Sequence, residues 1–237
     1  MHVGALAALN FGTGVVRLYG NTVAVIGGTG HLGHALARRW AQAGIAVVIG
    51  SRDPERAQTV AAALVAETGS GVQGDSNRNA AMRGDTVVVA VPFGSQGDVM
   101  EEIRDAVKGK IVVDATVPLV PPRVMRVQLP AEGCAAVRSQ QLLGDDVQVV
   151  AAFHNVAAHR LATDDNVDCD ILVFGEDREA RSHVIELVNA ARLRGLHAGS
   201  LANAAAAEAL TSVLIFINKH YKVYGAGLRI TGQFQTD

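Results

Sequence analysis

Gly28, Gly30 and Gly33, followed by Ser51 and Arg52, are the residues whose types and spacing speak most directly of chemistry. The glycines stand in VAVIGGTGHLGHALA and fit the spacing G-x-G-x-x-G. Ahead of them lies a strand-like apolar run, and behind them a helix opens. In that setting the first glycine permits a tight turn, the second lets backbone approach a pyrophosphate, and the third lets helix pack closely on sheet. Unpaired amides at the helix N-terminus, with the helix dipole behind them, then favour the anion. At the end of the next strand, Gly50-Ser51-Arg52 stands where an acidic residue would hydrogen-bond the ribose hydroxyls of NAD. Ser51 can donate to a 2′-phosphate, Arg52 can grip it through two parallel N–H bonds, and Arg56 lies one helical turn further, so the expected ligand is NADP(H). Ala90-Val91-Pro92-Phe93 ends a fourth strand, where ligands of open α/β sheets bind, and is expected to flank ribose and nicotinamide.

Other candidates carry less. His154 follows a buried strand and could hydrogen-bond a cofactor whose charge changes on reduction; the competing reading is a structural histidine bonded to backbone. Asp164, Asp165, Asp168 and Asp170 lack the glycine and glutamate of a calcium loop and are expected to form a solvated loop. His31 and His34 share a helical face, but no carboxylate or cysteine completes a set, so no metal is expected. There is no Ser-His-Asp order and no suggestive carboxylate pair. Hydride transfer between bound rings needs neither, because it asks the protein mainly for proximity; a non-catalytic binding protein would also lack them.

The elements that must position these residues alternate as βαβ. Strands are expected at 22–27, 45–50, 71–74, in DTVVVAVP and in KIVVDAT, with helices from Leu32 to before Gly44 and over 55–67, 77–83 and 96–107. Asp53 and Pro54 supply an N-cap and first helical residue. Such alternation forces right-handed crossovers, giving a Rossmann-like, doubly wound, mostly parallel sheet. VPLVPPRVMRVQLP reads as a long loop. A smaller α/β C-terminal domain is expected from helix 132–143, strands 147–152, 170–174 and 194–199, helix 177–191 and a long helix 201–224. That last helix has an apolar stripe of Leu210, Val213, Leu214, Phe216 and Ile217, buried or paired with its counterpart in a dimer. The expected division is an N-terminal extension over 1–20, a nucleotide-binding domain over 21–145 and a C-terminal domain over 146–237. In the extension, VVRLY is either an added strand or arm, or part of a tail.

Composition agrees with a small-molecule protein. The 237 residues are 49% hydrophobic and 19% charged with a net charge of -2, so no basic field exists for nucleic acid or anionic lipid. Apolar stretches are strand-sized or carry charges, short of the roughly 18 to 20 residues of a membrane span. Cys134 and Cys169 have neither metal nor redox spacing and fit a reducing cytoplasm.

Taken in order, GGTGHLGHALA, VVIGSRDPERA, VVVAVPF, VVAAFHNVAAHRL, LVFGEDREA, HAGSLANA and ALTSVLIFINK make a recognisable set. The chain resembles the NADPH-dependent reductases of coenzyme F420 from about residue 22 to about residue 230. The resemblance implies two domains with a deazaflavin held against the nicotinamide between them, in a homodimer. It places Thr29, Gly30, His31 and Leu32 along the pyrophosphate and Ser51, Arg52 and Arg56 at the 2′-phosphate. It places His154, Asn155, Val156 and Ala157 at the junction of the rings, with Thr211 and Gly227 on the deazaflavin side. The loop TVPLVPPRVMRVQLPAEG departs from the family's pattern. Two other readings remain open on the residues alone. One is an NADPH-dependent reductase of another acceptor, either a flavin-mediated metal reductase or an imine or keto-acid reductase, for which the last helix offers only Glu208 and Lys219 as acids. The other is an NADPH-sensing dimer without turnover.

Overall fold

The computed structural model describes residues 22–234, so VVRLY lies outside the described residues. Strand β1 (Thr22–Ile26) leads into helix α1 (His31–Gln42), and β2 (Ala46–Ser51) into α2 (Pro54–Thr68). They are followed by β3 (Val72–Ser76), α3 (Asn77–Arg83), β4 (Thr86–Val89), α4 (Phe93–Ile103) and β5 (Ile111–Asp114). Helix α4 starts three residues before its expected start, with Pro92 at its N-cap position; the glycines of FGSQG mask its first turn in sequence, because glycine is a poor helix former.

Six parallel strands form one sheet in the order β3-β2-β1-β4-β5-β6, with β6 spanning Gln148–Ala151. Alternate residues of β1 face opposite layers. Val23 and Val25 pack with α1 and α2, whereas Ala24 and Ile26 pack with α3 and α4. Both faces are therefore dry, which explains the unbroken apolar runs of these strands. Strand order reverses between β1 and β4, opening a crevice at their carboxyl ends.

The expected boundary at residue 145 falls one strand early. β6 pairs with β5 in parallel register from Ile111↔Gln148 to Asp114↔Ala151, so it completes the large sheet. Its apolar run satisfies a core strand of either unit, and only pairing decides between them. Beyond it come the short helix α6 (Ala158–Leu161), which sequence reading did not expect, then β7 (Asp170–Val173), α7 (Arg178–Ala190) and β8 (Arg194–His197). β7 and β8 make a separate parallel pair, joined to the large sheet by the bridge between Ala151 and Phe174. Helix α5 (Ala135–Leu143) precedes β6, and α8 (Ala204–Tyr221) follows a 3-10 turn at Leu201–Asn203. The segment Leu201–Tyr221, with mean hydropathy 1.5, is long and apolar enough by length and composition to cross a bilayer, contrary to the sequence expectation.

The end of α1 fastens the two units together. Arg39 is 3% exposed and donates to the carbonyls of Leu161, Ala191, Thr163 and Asp165 at 2.8, 2.8, 2.9 and 3.1 Å. Trp40 Nε1 donates to the Leu187 carbonyl at 2.8 Å. Removing the guanidinium would leave buried carbonyls without donors, so Arg39→Ala is expected to cost about 3 kcal/mol, or roughly 6 to 12 °C in Tm by thermal denaturation. The acidic loop is also more structured than expected. Asp164 accepts from Arg38 at 2.8 Å and Gln42 at 3.1 Å, Asp168 pairs with Arg229 and Asp170 with Arg194. The partners are distant in sequence, which is why the loop read as merely solvated.

Candidate functional site

At the carboxyl end of β1 the chain makes a turn that needs glycine at Gly27, Gly28 and Gly33. A Cβ on Gly33 would lie 2.5 Å from the Gly27 carbonyl oxygen, and one on Gly28 would lie 2.8 Å from Ile49 Cγ2. The turn closes through the Gly30 amide, which donates to Gly27 O at 2.9 Å. Gly30 is the N-cap of α1 and no side chain caps it, nor is there an acid in the first turn. Helices α2, α3 and α7 are instead capped by Asp53, Ser76 and Asp177. The first amides of α1 are thus left for a ligand anion. Gly33→Ala must displace the turn, and at least a tenfold rise in the Kd for NADPH, roughly 1.4 kcal/mol, is expected by titration.

Next to this turn is a cavity of about 540 Å³ whose lining includes Thr29, Gly30, Ser51, Arg52, Arg56, Ala90, Val91 and Pro92. Ser51 ends β2 beside the turn. Its hydroxyl accepts from the Asp53 amide at 3.1 Å, which leaves its own proton free to donate. Arg52, the residue preceding the Asp53 cap, and Arg56, on the first turn of α2, are both exposed. Asn77 lines the same cavity and was missed in sequence. It follows β3, the neighbour of β2, and its Nδ2 donates to Glu102 at 2.9 Å while its buried Oδ1 has no partner. Topological position next to β2 is the signal that would have found it. A second cavity of about 540 Å³ shares Thr29 and Gly30 and is lined by His31, His34, Ala158, His159 and Ala162. Leu32 is half-buried against the core beneath α1.

The segment after β6 turns sharply at Phe153, which has φ +68° and packs edge-on against Trp40 with ring centroids 6.0 Å apart. This conformation is uncommon for a bulky residue. His154 follows, 6% exposed, with neither ring nitrogen hydrogen-bonded. It is therefore not the backbone-bonded histidine of the competing sequence reading. Burial pushes its pKa down to about 4, so the ring is neutral at neutral pH. Its carbonyl accepts the Thr211 hydroxyl at 2.9 Å, and Asn155 Nδ2 donates to Ala207 O at 2.7 Å and to Thr211 Oγ1 at 3.1 Å. Gly227 lies so close that a Cβ would be 2.8 Å from Cys169 Sγ and 3.6 Å from the Asn155 carbonyl. His154, Asn155, Thr211 and Gly227 thus come together from distant parts of the chain. Ala157 is half-buried next to them, and Val156 packs into the core.

The loop 115–134 is held at both ends by buried carboxylates. Asp114 accepts from the Thr116 amide, Gln96 and Ser139, and burial raises its pKa. Glu208 on α8 accepts from the Ala135 and Ala136 amides at 2.7 and 3.1 Å, and burial pushes its pKa up to about 7. Both oxygens of Glu208 are engaged at the start of α5.

Residues 22–118 match the family described as NADP oxidoreductase coenzyme F420-dependent. A curated relative from Methanothermobacter thermautotrophicus, named F420-dependent NADP reductase, is 39% identical over 218 residues, covering 88% of this chain and 94% of the relative. One of the same name from Methanocaldococcus jannaschii is 37% identical over 219 residues, covering 88% and 97%. A solved Arthrobacter sp. FB24 protein shares the fold with TM-score 0.77 at 22% identity, over 89% of this chain and 99% of that one.

Proposed function

The chain belongs to the family of coenzyme F420-dependent NADP oxidoreductases, and from that we infer that it transfers a hydride between NADPH and the deazaflavin coenzyme F420. One observation carries the nucleotide half: Ser51, Arg52 and Arg56 surround the same cavity as the uncapped start of α1. The residues fit the cofactor, since the glycines clear a cradle that a Cβ would fill and the amides of α1 are unclaimed by any side chain. Thr29, His31 and Leu32 take the pyrophosphate through backbone amides, while Gly30, whose own amide closes the turn, lets the phosphates approach the backbone. Ser51 and the two arginines take the 2′-phosphate, and Ala90, Val91 and Pro92 form the wall that directs the ribose toward the second unit.

NADPH and the deazaflavin, when bound, supply the hydride donor and acceptor. The chain holds them in line and keeps water away, which is the main work such a transfer asks of a protein. His154, Asn155, Val156, Ala157, Thr211 and Gly227 form the deazaflavin side, tied together by the hydrogen bonds of Thr211 and Asn155. The unpartnered ring nitrogens of His154 fit a group completed by ligand. Being neutral, this ring serves as a hydrogen-bonding wall and not as a proton donor.

A keto-acid or imine reductase would need a free acid on α8 facing the site, whereas Glu208 has both oxygens on backbone amides and Lys219 is exposed near the far end of the helix. The exposed Val213 and Phe216 on α8, 42% and 49% accessible, support a homodimer through that helix. Two free buried cysteines suit a cytoplasmic enzyme. Mixing the protein with NADPH and F420 should bleach the visible deazaflavin band; both ligands binding without bleaching would instead support a sensor.

A further inference from the structure

Three imidazoles surround one cavity that the nucleotide does not fill by the reading above. His31 and His34 come from α1 and His159 from α6, with Thr29, Gly30, Ala158 and Ala162 completing the lining. No carboxylate is among these residues. Glu67 acts on His34 but is already bonded to Arg38, which also engages Asp164; Arg38 and His31 act on His34 in the opposite sense. His159 is pinned from outside by Tyr224, ring centroids 4.1 Å apart, and a Cβ on Gly225 would come within 2.8 Å of its Nε2. Gly225 has φ +79°, so the tail segment approaches the imidazole only because it carries no side chain there.

The trio is not a metal site: among the described residues no group of three or more His, Cys, Asp or Glu is arranged to hold an ion. Its donors are N–H groups and the Thr29 hydroxyl, which recognise oxyanions. Hydrogen bonds to an ionised acceptor in the cavity are of the stronger, charge-assisted kind. At about 540 Å³ the space is far larger than one phosphate and suits an extended anionic chain. It meets the nucleotide cavity at Thr29 and Gly30, so whatever occupies it lies beside the donor coenzyme.

We propose that the cavity between α1 and α6 binds the phosphate- and carboxylate-bearing tail of the deazaflavin coenzyme through His31, His34 and His159. This rests on the functional reading above, because F420 is the ligand whose ring would sit beside Ala157 and whose acidic tail needs such donors. The cavity also touches the pyrophosphate turn, so the oxyanion could instead come from NADPH. The two sources separate by titration.

His34→Gln and His159→Gln would be titrated by fluorescence, without turnover, against three probes: F420, its tail-less deazaflavin riboside, and NADPH. Each variant should weaken F420 about tenfold, the loss of one charge-assisted hydrogen bond, and leave the riboside and NADPH within about twofold. Unchanged NADPH affinity also reports that the fold is intact. Equal losses for F420 and the riboside, a loss confined to NADPH, or no loss with any probe would each overturn the proposal. Failure of the wild-type chain to bind either deazaflavin would overturn both it and the functional reading.

Discussion

Arg52→Ala is expected to raise KM for NADPH between about 10- and 100-fold while leaving NADH kinetics nearly unchanged, because a charge-assisted bond to phosphate is worth about 1.5 to 3 kcal/mol. The effect belongs to one phosphate group. Arg52 and Arg56 are both exposed on the cavity that also contains Ser51, and NADH brings nothing for them to hold. Steady-state kinetics with both nucleotides checks this. Equal losses with NADH would remove Arg52 from the 2′-phosphate and leave it a general contact to the dinucleotide. Arg56→Ala should show the same selectivity more weakly, since it lies a turn further along α2.

A second large effect concerns pH, where two buried groups pull in opposite directions. His154 is held near 4 by burial, below its ordinary value of 6.5. As pH falls from 6.5 to about 4 the unfolded chain takes a proton that the folded one refuses, so stability is lost on the acid side, on the order of 3 kcal/mol. Glu208 is pushed up to about 7 by burial, above its ordinary 4.5. The folded chain then keeps a proton that the unfolded one releases, so its contribution is present below pH 4.5 and is lost, by a similar order, as pH rises through about 7. Asp114, also raised by burial, adds to the second trend. Between pH 4.5 and 6.5 the slopes of His154 and Glu208 therefore oppose each other in the wild type. His154→Gln should become less stable as pH rises across that range, and Glu208→Gln more stable. Parallel denaturation profiles for the two variants would refute the assignment.

The features legible in sequence were those written in neighbouring residues. The glycine turn, the Asp53 cap and the Ser51-Arg52 pair are local, and each has a stereochemical reason that does not depend on the rest of the chain. What could not be read were contacts between distant segments. β6 carries the same apolar text whichever sheet it joins, and only its register with β5 assigns it. Asn77 and His159 are ordinary polar residues until the topology brings them to the two cavities. Glu208 looked like a candidate acid on an apolar helix, and its engagement with α5 depends on residues more than seventy positions away. The turn at Phe153 has no sequence mark at all, since aromatic residues rarely adopt positive φ.

Helix α1 begins at the phosphate turn and ends where Arg39 and Trp40 grip the carbonyls of the second unit. It is a strut fixed at both ends. A nucleotide seated on its first turn would rest on a rod whose far end is built into α7 and the loop after α6. If occupancy is transmitted along that strut, NADPH should slow hydrogen exchange in the 161–165 segment.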